Sequence, residues 1–119
     1  MDKKSEGNLG ENLACSYLIR KDYRIFTRNF HSRLGEIDII AQKNQRLIFI
    51  EVKTRSSDCF GEPQEAVDKR KLASIIRTGH YFKLLNQKLP EAMQIDVIAI
   101  KLDSQGKLLN LKHFENVSL

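Results

Sequence analysis

The sequence predicts an α/β or α+β fold built on a mixed sheet, with elements in the order helix, three strands, helix, two strands. Three observations carry this. Apolar residues recur at helical spacing near the start of the chain. Two β-branched runs then lie four polar residues apart. A long segment of helical period separates them from a strong late strand.

The first helix is expected from about Asn8 to Lys21. Leu9, Leu13, Tyr17 and Leu18 form its stripe with Ala14 beside them, and Glu11 falls at the stripe's margin, near Ala14 and Leu18. A strand follows from Tyr23 to Phe30, then a polar turn over His31, Ser32, Arg33, Leu34 and Gly35. Strands at Glu36 to Gln42 and Leu47 to Lys53, joined by Lys43-Asn44-Gln45-Arg46, read as a hairpin. A loop from Thr54 to Pro63 leads to a helix from about Gln64 to Gln87, with Val67, Leu72, Ile75, Ile76, Gly79, Phe82 and Leu85 as its apolar stripe. Pro90 breaks the chain before a strand from Ile95 to Leu102. Asp103-Ser104-Gln105-Gly106 turns it into a weaker last strand, Leu108 to Phe114.

A chain of 119 residues fits one domain, residues 1–119, with no repeat or linker to divide it. No apolar run approaches the ~20 residues of a membrane span. The first residues lack the apolar stretch of a signal peptide. Cys15 and Cys59 give neither a disulfide framework nor a zinc pattern, which points to the reducing cytoplasm. His31, His80 and His113 are scattered without ligand spacing. The net charge of +5 suits a protein that meets a polyanion, although many proteins reach it with no such partner. Arg20, Lys21, Arg24, Arg28 and Arg33 cluster before the hairpin and could track phosphates or simply be solvated.

The chemistry sits in the hairpin, where charged residues interrupt apolar runs at a free-energy cost. If Gln42 and Leu47 close the loop, Asp38 lies opposite Glu51, and Glu36 opposite Lys53, on one face. Ile37, Ile39, Ile48, Ile50 and Val52 fall on the other. A slip of one residue would expose the isoleucines, so the apolar pattern defends the register. Facing carboxylates repel, and a hard divalent cation relieves that. Asp38, Glu51 and the Val52 carbonyl could supply half its shell, with Lys53 placed for a phosphate or an attacking water, the layout of metal-assisted phosphodiester hydrolysis. The alternative is a cross-strand salt bridge from Glu36 to Lys53. On the second helix Gln64, Asp68 and Lys71 share the inward side with Val67, Ile75 and Phe82. They either border a site or are solvated at a frayed helix end. Tyr81 and Phe82 read as core and flank of that helix and not as a base-stacking platform.

Gly7-x-x-Gly10-Glu11, Gly35-Glu36-Ile37-Asp38-Ile39-Ile40-Ala41 and Phe49-Ile50-Glu51-Val52-Lys53-Thr54-Arg55 resemble the YraN family of bacterial proteins. So do Phe60-Gly61-x-Pro63-x-Glu65-Ala66-Val67, Lys71 and Ile95-Asp96-Val97-Ile98. That family is predicted to be endonucleases related to archaeal Holliday-junction resolvases. The resemblance implies a PD-(D/E)XK nuclease-like, restriction-endonuclease-like core in αβββαβ order, acting on DNA, including branched or recombination intermediates, with Mg²⁺ or Mn²⁺. It implies Asp38 as the metal-binding aspartate, Glu51 and Lys53 as the (D/E)xK pair, and Glu11 as the acid on the first helix. Lys71, Arg33, Arg55 and Gln64 are expected to contact nucleic acid, and a homodimer is implied. Ile37 stands where the superfamily's name has proline, and Gln94 where the family often has arginine. A nucleic-acid-binding module with a vestigial site is the rival expectation.

Overall fold

The structure, a computed structural model, describes residues 1–56 and 68–117. The elements are α1 (Lys3–Arg20), β1 (Arg24–Ser32), β2 (Gly35–Lys43), β3 (Arg46–Ser56), α2 (Lys69–Leu85), β4 (Ala92–Leu102) and β5 (Leu108–Phe114). The anticipated order holds. One five-stranded sheet runs β1-β2-β3-β4-β5. Only β3 and β4 are parallel, and α2 lies between them in the chain.

Several boundaries differ from the sequence reading. The first helix starts five residues before Asn8, because Asp2 caps it by accepting a hydrogen bond from the Ser5 N–H at 2.8 Å. The second helix begins after Asp68, whose extended backbone and bond from the Lys71 N–H (2.9 Å) make it the N-cap, not an inward helical residue. Gln64 to Val67, Gly61, Pro63 and Cys59 lie outside the described residues. Thr54 and Arg55 belong to a strand and not to a loop, because β3 runs beside β4 as far as Ser56↔Leu102. The polar turn shrinks to Arg33 and Leu34, with Ser32 and Gly35 already paired.

Two cores flank the sheet. Ala14, Cys15 and Leu18 of α1 pack on Ile39, Ala41, Ile48, Ile50, Ile98, Ile100 and Leu102. Leu72, Ile75 and Phe82 of α2 pack on Ile37, Ile40, Leu47, Phe49 and Ile95. Leu85, placed in the apolar stripe by sequence, is exposed at the end of α2, whereas Phe82 of that stripe is buried and Tyr81 is exposed on the flank. On α1 the buried line runs through Gly10, Glu11, Ala14, Cys15 and Leu18, so Glu11 lies within the buried face and not at its margin. Ile37 and Ile39, two apart, pack on opposite helices. Strand alternation therefore breaks at Asp38, and the single core face expected for Ile37, Ile39, Ile48, Ile50 and Val52 divides in two.

At the last strands Asp96 is fully buried and fully partnered. Its Oδ1 accepts from Gln94 Nε2 and the Asn116 N–H, both at 2.9 Å, and its Oδ2 bonds His113 Nε2 at 2.7 Å. His113 Nδ1 reaches the Tyr17 hydroxyl at 2.9 Å.

Gly35 sits at φ +146°, a region closed to other residues, and a Cβ there would lie 2.9 Å from Thr78 Oγ1 and against Ser74 Oγ. Gly35→Ala is expected to cost about 1–3 kcal/mol in urea unfolding, since both the backbone and its docking on α2 resist the methyl group.

Candidate functional site

The hairpin register is the one the apolar pattern defends, Gln42↔Leu47 through Ile39↔Ile50. Beyond Ile39 the two strands part. Asp38 and Glu51 are therefore not a ladder pair as the register alone suggests. Instead, Asp38 Oδ2 accepts the Val52 N–H at 2.8 Å, so a side chain replaces the missing backbone partner. In an extended strand the N–H and C=O of one residue point to the same side, so the Val52 carbonyl also faces this opening.

Glu51 is flanked by Ile50 and Val52 of the α1-side core, so its side chain points to the other face, where α2 brings Lys71. Glu51 Oε2 lies 3.5 Å from Lys53 Nζ and 3.6 Å from Lys71 Nζ. Its Oε1 is buried and has no hydrogen-bond partner among the described residues. Burial, then the charge of the nearby Asp38 carboxylate, push Glu51 up to about 8. Both ammonium groups oppose this without overcoming it.

Asp38 also lines a groove of about 620 Å³ with Glu11, Val52, Lys53 and Arg55, and Lys3 and Lys4 stand at its rim. Glu11 accepts at Oε1 from Arg28 Nε (3.2 Å) and Asn29 Nδ2 (2.9 Å). Burial and then the Asp38 charge raise its pKa, against the pull of Arg28 and Asn29.

The sequence-read residues Asp38, Glu51, Lys53, Glu11, Val52, Arg55 and Lys71 thus converge on the opening between β2 and β3 and the groove beside it. Arg33 does not join them. It lies at the β1–β2 turn beside Leu34 and Tyr81. Gln64 is outside the described residues. Glu36 pairs with its ladder neighbour His31 (3.1 Å) and not with Lys53, because the strands have separated before that level. Arg28, half-exposed, bonds Glu11 and Asn12. Gln94, which stands where the family often has arginine, donates from Nε2 to Asp96. The roles of Arg28 and Asn29 escaped the sequence reading, although an asparagine inside a strand run, a position it disfavours, was the available signal.

Among the described residues no three imidazole, thiolate or carboxylate side chains form a ready metal cluster. A Mg²⁺ ion needs less. It takes one or two carboxylates and completes its octahedron with waters and phosphate oxygens. The unpartnered Glu51 Oε1, the facing Asp38 and the Val52 carbonyl fit that requirement.

A five-stranded mixed sheet flanked by helices, with a buried carboxylate and two lysines where its strands part, defines a mixed α/β protein with a polar site set into its sheet. The chain belongs to UPF0102, described as an uncharacterised protein family, whose model matches residues 10–100 and whose members are YraN-like. It is 44% identical over 98% of both chains to the UPF0102 protein of Alkaliphilus oremlandii. It is 38% identical to that of Moorella thermoacetica, over 94% of this chain and 93% of that one. The figure for Clostridium acetobutylicum is 41%, over 95% and 93%. No helix among the described residues is long and apolar enough to cross a membrane.

A buried carboxyl that holds its proton more tightly when folded makes stability fall as pH rises, here between the ordinary glutamate value of 4.5 and about 8. In the presence of a chelator, wild type should lose stability steadily across that window by denaturant titration. Glu51→Gln, which mimics the protonated form, should flatten the slope. An unchanged slope in the variant would count against this assignment.

Proposed function

We propose that the protein is a Mg²⁺-dependent nuclease of the PD-(D/E)XK type that hydrolyses phosphodiester bonds in DNA, branched or recombination intermediates included. The observation that carries this reading is the buried Glu51 carboxyl, with one oxygen unpartnered among the described residues and the other beside two lysines, facing Asp38 in a break of the sheet. A structural ion pair would satisfy both oxygens, whereas a cation site leaves one for the ion.

Asp38 and Glu51 would hold the metal with the Val52 carbonyl, and Glu11 would hold it or one of its waters from the groove side. A metal ion held there would supply the charge that favours ionised Glu51, polarises a phosphate and lowers the pKa of a water. Lys53 Nζ stabilises charge on the phosphate or orients the attacking water. Lys71 balances Glu51 from α2 and meets the nucleic acid. Arg55 on the groove wall attracts the phosphate chain, and Arg33 contacts it further out. The same oxygen donors would hold Mn²⁺ in place of Mg²⁺. Symmetric cutting of a branched substrate requires a homodimer. The reading places the protein in the cytoplasm with its DNA.

Purified protein with Mg²⁺ should cut DNA, four-way junctions first, leaving 5′-phosphate and 3′-hydroxyl ends. Lys53→Ala should slow cutting by ~10²–10³-fold, as loss of a group that stabilises transition-state charge does. Asp38→Ala should abolish it. Salt-sensitive DNA binding that is indifferent to chelator, with no cleavage, would instead mark a nucleic-acid-binding module.

A further inference from the structure

Asn29 stands inside β1 with φ +54°, left-handed backbone in the middle of a strand. Asparagine tolerates this conformation better than most residues, but it interrupts a strand wherever it occurs. The interruption is local. Arg28↔Ile39 and Phe30↔Ile37 are paired on either side, and the level between them is that of Asn29 and Asp38. Asp38 is also where the alternation of β2 breaks, with Ile37 packing towards α2 and Ile39 towards α1. The two distortions are therefore one feature seen on neighbouring strands.

This feature has two results, and both concern the site. Asp38 lines the α1-side groove together with Glu11. The Asn29 amide reaches across to Glu11 and donates to Oε1 at 2.9 Å, the same oxygen that Arg28 Nε takes at 3.2 Å. With both bonds on Oε1, a cation held by Glu11 would use Oε2. Arg28 is itself tied to Asn12 Oδ1 at 2.7 Å, so the guanidinium is braced against α1. A buried carboxylate near a second carboxylate swings away from it unless something fixes its orientation.

Building on the metal-site reading above, we infer that Asn29 is a positioning residue, which holds Glu11 towards the ion held by Asp38 through the kink it makes in β1. Groups behind a metal ligand orient it, and their loss commonly weakens binding ~10–100-fold. Asn29→Gly separates the two parts of the role, because glycine adopts the left-handed backbone freely and removes only the amide.

The test is Mn²⁺ titration by calorimetry with no nucleic acid present, on wild type, Asn29→Gly, Glu11→Ala and the double variant, alongside thermal melts of each. N29G should melt as wild type does and bind Mn²⁺ about tenfold more weakly. The double variant should bind no more weakly than E11A alone, since the amide acts only through that carboxylate. Independent, additive losses would overturn the proposal, as would an N29G chain that binds like wild type. An N29G chain that no longer melts cooperatively overturns it too, because the amide would then be holding the fold. A wild type that binds no Mn²⁺ removes the metal-site reading itself, an outcome distinct from a loss that fails to depend on Asn29.

Discussion

The bond from the Val52 N–H to Asp38 lets the sheet open without leaving a backbone group stranded. Two strands that separate in a protein interior normally expose unpaired N–H and C=O groups, each a cost of about 1–3 kcal/mol if buried. Here one carboxylate oxygen takes the first orphaned N–H. That frees β3 to continue beside β4 as far as Ser56 while β2 continues beside β1. The gap that results is polar and bordered by α1 on one side and α2 on the other. It can receive Glu51, Lys53 and Lys71 without disturbing either apolar layer.

Glu51 is the opposite case, a group whose surroundings do not match it. Its neighbours in the chain are core residues, it is almost wholly enclosed, and it faces another acid. Two lysines approach one oxygen only. A carboxyl kept this way in a folded chain is costly by itself, and such local frustration is concentrated where a chain does chemistry. Lys71 reaches it because Asp68 ends the connection from β3 with a cap, so that α2's first turn starts beside the gap.

Much of this was legible in the residues. Element order followed from hydrophobic period, and the hairpin register from the isoleucines, which a one-residue slip would have exposed. The charged positions inside apolar runs marked Asp38, Glu51 and Lys53 for the same reason. What escaped were features that depend on three dimensions. That Glu51 faces α2 while Asp38 lines the groove beside α1 requires the alternation to break, and strand periodicity contains no term for a break. Arg28 read as a free cation because nothing in a linear pattern says that Glu11 will be buried beside it. The Asp96, His113 and Tyr17 contacts join residues 96 positions apart at their widest, beyond any local signal.

That last set of contacts bears on how the chain reaches its native state. Asp96 gathers the Gln94 amide, the His113 ring and the Asn116 backbone, and His113 carries the link on to α1. The opening helix is thus fastened to the closing strand. The apolar face of α1 already rests on β2, β3 and β4, and the Tyr17–His113 bond adds a polar link to β5. A contact between residues this far apart in sequence carries a large loop-closure cost, so this link closes after the local hairpins form. Loosening β5 would therefore break the Tyr17 bond to His113 and leave the apolar seat of α1 on β2 and β3 in place.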